Sequence, residues 1–96
     1  MRLMPRKRSA ALIQKPEYLV EILGRRFPVA GMLEASRFVS EVRDRSGAGA
    51  SEMGGQFPIY ENGTIIGYVS YNGKVWRGHP DDWKNAELMY DPYAGS

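Results

Sequence analysis

Residues 56–78 read QFPIYENGTIIGYVSYNGKVWRG, and the fold turns on how this stretch is paired. Asn62-Gly63 and Asn72-Gly73 are dipeptides that tolerate positive φ at both positions, which is what a two-residue type I′ hairpin turn requires. The flanking residues are rich in Ile, Val, Tyr and Trp, side chains that suit a pleated, half-buried surface. A three-stranded antiparallel meander follows. Counting outward from two-residue loops pairs Tyr60 with Ile65, Ile59 with Ile66, Val69 with Trp76 and Ser70 with Val75. Pro58 has no N–H to donate to a ladder, so the first strand is expected at an edge or beside a bulge. In this register one face carries Phe57, Ile59, Ile66, Tyr68 and Val75, and the other carries Tyr60, Ile65, Val69, Tyr71 and Trp76 with Lys74 at its rim.

Upstream, GMLEASRFVSEVRDRSG (residues 31–47) predicts an amphipathic helix. Gly31 stands at the N-cap with Glu34 at the capping-box position, and Gly47 serves as the left-handed stop. Met32, Ala35, Phe38, Val39 and Val42 share one stripe, while Arg37, Glu41 and Arg45 form a solvated ladder opposite. Residues 17–29 read two ways. A hairpin turning at Gly24-Arg25 sets Ile22 against Phe27 and Val20 against Val29. A short helix would start near Pro16 and end at Gly24. The hairpin is preferred because it gathers the apolar residues on one face. Between helix and meander, residues 46–56 form a glycine-rich loop. After the meander, Pro80, Asp81 and Asp82 suggest the first turn of a short helix, with Trp83, Ala86 and Tyr90 toward the body and Pro92 beyond its end.

These elements amount to a small α+β fold: an antiparallel sheet of a three-stranded meander plus an N-terminal hairpin, one amphipathic helix across a face, and a short C-terminal helix. The expected organisation is a flexible basic arm over 1–16, a single domain over 17–91 and a frayed tail over 92–96. A chain of 96 residues lies near the small end of what one hydrophobic core can stabilise. It has no cysteine, which excludes disulfides, thiolate metal sites and a thiol nucleophile. No apolar run reaches membrane-spanning length, and the expected setting is the cytoplasm. Charge is unevenly placed: seven Lys/Arg face two Asp/Glu over residues 1–26, and six face nine thereafter. Arg2, Arg6, Lys7 and Arg8 are therefore candidate phosphate contacts, weighed against a simply solubilising tail.

Motifs for catalysis are sparse. Gly54-Gly55-Gln56 is the tripeptide of peptide-chain release factors, but Gln56 runs straight into the apolar Phe57-Pro58-Ile59-Tyr60 and no basic tail follows. The expected role is a glycine hinge entering a strand. His79 is the sole histidine; with no nucleophile or further ligands beside it, it reads as a helix cap rather than a base or metal ligand. The chain is expected to be non-enzymatic, with no cofactor and no metal. A helix followed by a meander and a second helix also has the element order of double-stranded-RNA-binding domains. The lysines those domains present at the start of their last helix are replaced here by Asp81 and Asp82, which would repel phosphate.

One helix can cover one face of a sheet, so the second apolar face needs another cover. The candidates are the C-terminal segment folding back with Trp83 and Tyr90, a protein partner or second copy, or single-stranded nucleic acid stacking on the aromatic rings. The expected partner-binding residues are Tyr60, Tyr71, Trp76, Lys74 and Arg77. The stretch from Glu34-Ala35-Ser36 to Ser70-Tyr71-Asn72-Gly73-Lys74-Val75-Trp76 resembles short uncharacterised accessory proteins of proteobacterial plasmids, phages and integrative elements. That resemblance covers residues 34–76 and implies a bacterial cytoplasmic accessory protein. The function expected is a non-catalytic protein-interaction module, acting through the aromatic face and as a candidate homodimer. The alternative is nucleic-acid binding by the same face together with the basic arm.

Overall fold

The computed structural model describes residues 17–94; the arm carrying Arg2, Arg6, Lys7 and Arg8 lies outside the described residues. Strands β1 (Tyr18–Ile22) and β2 (Arg25–Val29) are followed by helices α1 (Met32–Ser46) and α2 (Ala50–Met53). Then come β3 (Gln56–Glu61), β4 (Thr64–Ser70), β5 (Val75–Arg77), a 3₁₀ helix (Pro80–Asn85) and β6 (Glu87–Tyr90). All six strands join one antiparallel sheet in the order β2-β1-β3-β4-β5-β6. The α+β class is as expected, and the sheet is larger than a meander with a hairpin.

The N-terminal hairpin forms, with a different turn. Leu23 and Gly24 both have positive φ, 51° and 79°, so they make the type I′ pair, and Val20 stands opposite Phe27 rather than Val29. The slip is two residues along β2, an even number, so Val20, Ile22, Phe27 and Val29 still share the core face. At the other turn the slip is odd and matters more. Asn62 (φ 50°) and Gly63 (φ 89°) form the expected I′ turn, but at the next turn only Gly73 (φ 93°) is left-handed. The Gly73 N–H donates to the Ser70 carbonyl and the Ser70 N–H to the Lys74 carbonyl, each at 2.8 Å. That is a three-residue loop, and it sets Val69 against Val75 and Tyr68 against Trp76. A register shift between Ile59 and Tyr60 also sets Ile59 opposite Gly67, not Ile66. Together these irregularities exchange Tyr68 and Val69 between faces relative to the sequence count. Pro58 falls where the β1–β3 pairing has ended and next to that irregularity, which resolves its missing donor.

The core lies between the sheet and α1: Val20, Ile22, Ala35, Val39, Met53, Phe57, Ile59, Val69 and Val75 are buried together. Phe27 and Phe38 pack beside it at 5.1 Å between ring centroids. The Gly47 N–H donates to the Arg43 carbonyl at 3.0 Å in the expected left-handed cap (φ 70°). No side-chain hydrogen bond caps the start of α1, so Glu34 does not close a capping box. The glycine-rich segment is not wholly loop. The Glu52 carboxylate accepts from the Gly49 N–H at 2.9 Å, starting α2, which delivers Met53 to the core. The short C-terminal helix starts at Pro80 with Asp81 and Asp82 in its first turn, as expected, but it is a 3₁₀ helix that ends at Asn85; the rest of the expected helix is β6, because β5 offers a free edge whose ladder bonds an extended segment can satisfy and a helix cannot.

Candidate functional site

Strand alternation leaves Gln56, Pro58, Tyr60, Tyr68, Ser70, Lys74, Trp76 and Leu88 on the face away from α1. The 3₁₀ helix crosses this face as far as β3. Tyr68, only 3% exposed, stacks on Trp76 with centroids 6.4 Å apart and planes within 17°. Trp83 of the 3₁₀ helix stands at the mouth, 59% exposed. Around these rings Gly55, Gln56, Ser70, Asn72 and Lys74 complete an open cleft of about 290 Å³.

The polar groups of the cleft have defined partners. Asn72 Oδ1 accepts from the Ser70 hydroxyl at 2.6 Å and the Lys74 N–H at 3.2 Å. The Trp76 Nε1–H donates to Ser70 Oγ at 3.4 Å, a long bond. Lys74 Nζ lies 4.0 Å from the Asp91 carboxylate, with both side chains partly exposed, so solvent screens most of the attraction. Among the described residues no carboxylate lines the cleft, and Lys74 is the one charged side chain that does. Burial pushes the Tyr68 hydroxyl above the usual phenol range.

Only part of the expected site comes together. Trp76 and Lys74 share the cleft. Tyr60 is on the same face but two strands away and sealed: its hydroxyl donates to Glu21 at 2.9 Å, and the Arg26 guanidinium covers its ring at 4.0 Å. Burial, followed by the Glu21 hydrogen bond, raises its pKa. Tyr71 packs on the opposite, core side, where its hydroxyl donates to the Ala48 carbonyl at 2.6 Å and its own carbonyl accepts from Arg43 at 2.9 Å. Arg77 alternates with Trp76 and so points away from the cleft. Sequence reasoning missed Tyr68 and Ser70 as cleft residues because a one-residue register error inverts a strand, and Gln56 and Asn72 because the local cues at these positions are only those of a hinge and a turn. It also missed Ser36, a buried hydroxyl on α1 that donates to the Gly73 carbonyl at 2.6 Å and ties the β4–β5 turn to the helix.

The remaining motifs resolve locally. His79 caps the 3₁₀ helix as expected: its Nδ1 accepts from the Asp81 N–H at 3.1 Å. Gly54 (φ 101°) ends α2 and Gln56 opens β3. Among the described residues no cluster of three His, Cys, Asp or Glu could hold a metal ion, and no helix is long and apolar enough to cross a membrane. No protein-family model, curated protein or solved structure matches the chain.

Proposed function

We propose that this chain is a protein-interaction module whose binding surface runs from the Tyr68–Trp76–Trp83 cleft onto the β6 edge. The observation that carries this reading is the placement of exposed apolar side chains. Of the large apolar residues left exposed, Trp83, Leu88, Met89, Tyr90 and Tyr93 fall within one short segment. A patch of aromatic and Met residues, rimmed by Lys74 and by Lys84 at 5.7 Å from the Trp83 ring centroid, has the composition of an interface core. The opposite edge, β2, is guarded by Arg25, Arg26 and Pro28, devices that discourage pairing. The resemblance of residues 34–76 to mobile-element accessory proteins directs the search for partners to bacterial proteins of that setting.

The test is retention on immobilised chain. A partner should be held by wild type and by Leu33→Ser, an exposed change on α1, and lost with Trp83→Ala and with Lys74→Glu. The interaction should then be reproduced with both proteins purified. Equal retention by all four baits would refute the reading. Nucleic-acid binding is the second reading, favoured by Trp76 and Trp83 beside Lys74 with no carboxylate among the described residues that line the cleft. It predicts quenching of tryptophan emission by single-stranded DNA or RNA that weakens steeply with salt and on removal of residues 1–8.

A further inference from the structure

We infer that residues 79–91, hinged at Gly78, form a lid that opens as a unit from the Tyr68–Trp76 face while the rest of the sheet stays folded. Burial separates this segment from the body. No residue of the 3₁₀ helix is buried and all four of β6 are exposed, whereas Tyr68 beneath is closed to solvent. Among the described residues its attachments are three paired positions on β5, interrupted where Met89 has no partner, the long Lys74–Asp91 contact, the approach of the 3₁₀ helix to β3 with Trp83 at the cleft rim, and, just beyond it, Pro92 beside Gly73. Its other described hydrogen bonds are internal, apart from those Asp91 accepts from the N–H groups of Tyr93 and Ala94 just beyond it. Asp82 N–H reaches the His79 carbonyl, Ala86 N–H the Trp83 carbonyl, Asn85 the Asp82 carboxylate, and Asp81 N–H the His79 ring. These bonds survive a rigid outward swing. At the pivot Gly78 has φ 128°, a conformation that only glycine adopts readily.

Edge position alone does not make a lid. β2 is the other edge, yet Phe27 and Val29 pack against the core, so β2 should open only with the whole domain. Regions with little buried apolar contact open at lower free energy than the core, in contiguous units. Opening here uncovers Tyr68 and Trp76, and would control access to the surface proposed above; the motion belongs to the free chain and does not require that reading to hold.

The test is native-state amide hydrogen exchange on the full chain across sub-denaturing urea. Amides joining β6 to β5 should be protected on the order of 100-fold less than those of β1, β3 and β4, with β2 grouping with the latter. Their protection should fall with urea along a slope greater than zero but smaller than that of global unfolding, because a defined surface is exposed. A zero slope would mean simple fraying, and a global slope would mean β6 belongs to the body; either overturns the inference. Partner retention is measured separately, so its failure leaves this result readable.

Discussion

Gly67 offers the sharpest test of the packing. It lies in β4 opposite Ile59 on one side and Arg77 on the other. Elsewhere in a strand, replacing glycine by alanine should stabilise the chain by about 0.5–1 kcal/mol, because glycine loses more backbone freedom on folding. At Gly67 an added Cβ would overlap the Trp76 carbonyl oxygen and sit 3.0 Å from Met32 Cε. The Met32 methyl ends a flexible side chain and can move. The Trp76 oxygen is backbone and can retreat only by displacing β5, which carries Val75 into the core and Trp76 into the cleft. Overpacking of this kind costs typically ~1–3 kcal/mol, and a backbone obstruction belongs at the upper end. Net of the entropy gain, Gly67→Ala should destabilise by about 2 kcal/mol, lowering Tm by roughly 8–16 °C for a domain of this size. Urea unfolding followed by circular dichroism measures it, with Gly55→Ala as control, where an added Cβ meets nothing within 4 Å and φ is not left-handed. A Gly67→Ala protein as stable as wild type would refute the close approach of β4 to β5.

Three further outcomes can be checked alongside it. Ser36→Ala removes the hydroxyl that donates to the buried Gly73 carbonyl, and should lower the urea-unfolding free energy by about 1–2 kcal/mol with the m-value unchanged. Tyr71→Phe, which loses only the bond to the Ala48 carbonyl, should cost ~1 kcal/mol and leave partner retention intact, because Tyr71 is on the core side. The Tyr60 and Tyr68 hydroxyls both have raised pKa values in the folded chain, so the unfolded chain sheds these protons first, near pH ~10. The stability they contribute is complete below that pH and is lost as pH rises through the folded values. The urea midpoint should therefore fall above pH ~10, and less steeply in Tyr68→Phe.

The site was less legible in the sequence than the fold, for reasons that lie in particular residues. Helix α1 was readable because its 3.6-residue apolar stripe and Gly47 stop are local signals, and His79 because a cap forms within two residues of itself. Asn62-Gly63 behaved as its sequence suggests. Asn72-Gly73 did not, since the same dipeptide also fits the end of a three-residue loop. What selects the longer loop is distant: it lets Ser36 reach the Gly73 carbonyl and puts Val75 rather than Trp76 against the core.

What the sequence determined by itself is the α+β class, the helix, the presence of hairpins and the even-numbered grouping of Val20, Ile22, Phe27 and Val29. Each follows from periodicity or from the φ that a turn residue accepts, quantities set within a few neighbours. The tertiary structure alone decided which rings meet. Tyr68 joins Trp76 because of a loop one residue longer, and the irregularity at Ile59/Tyr60 keeps that pair off the face that carries Phe57 and Ile59. β6 becomes a strand because β5 presents unpaired backbone groups, which cuts short the helix that Pro80 and the two aspartates start. Side-chain direction in a strand inverts with every residue of register, and register is settled by the free energy of the whole packed core, which no short stretch of sequence contains.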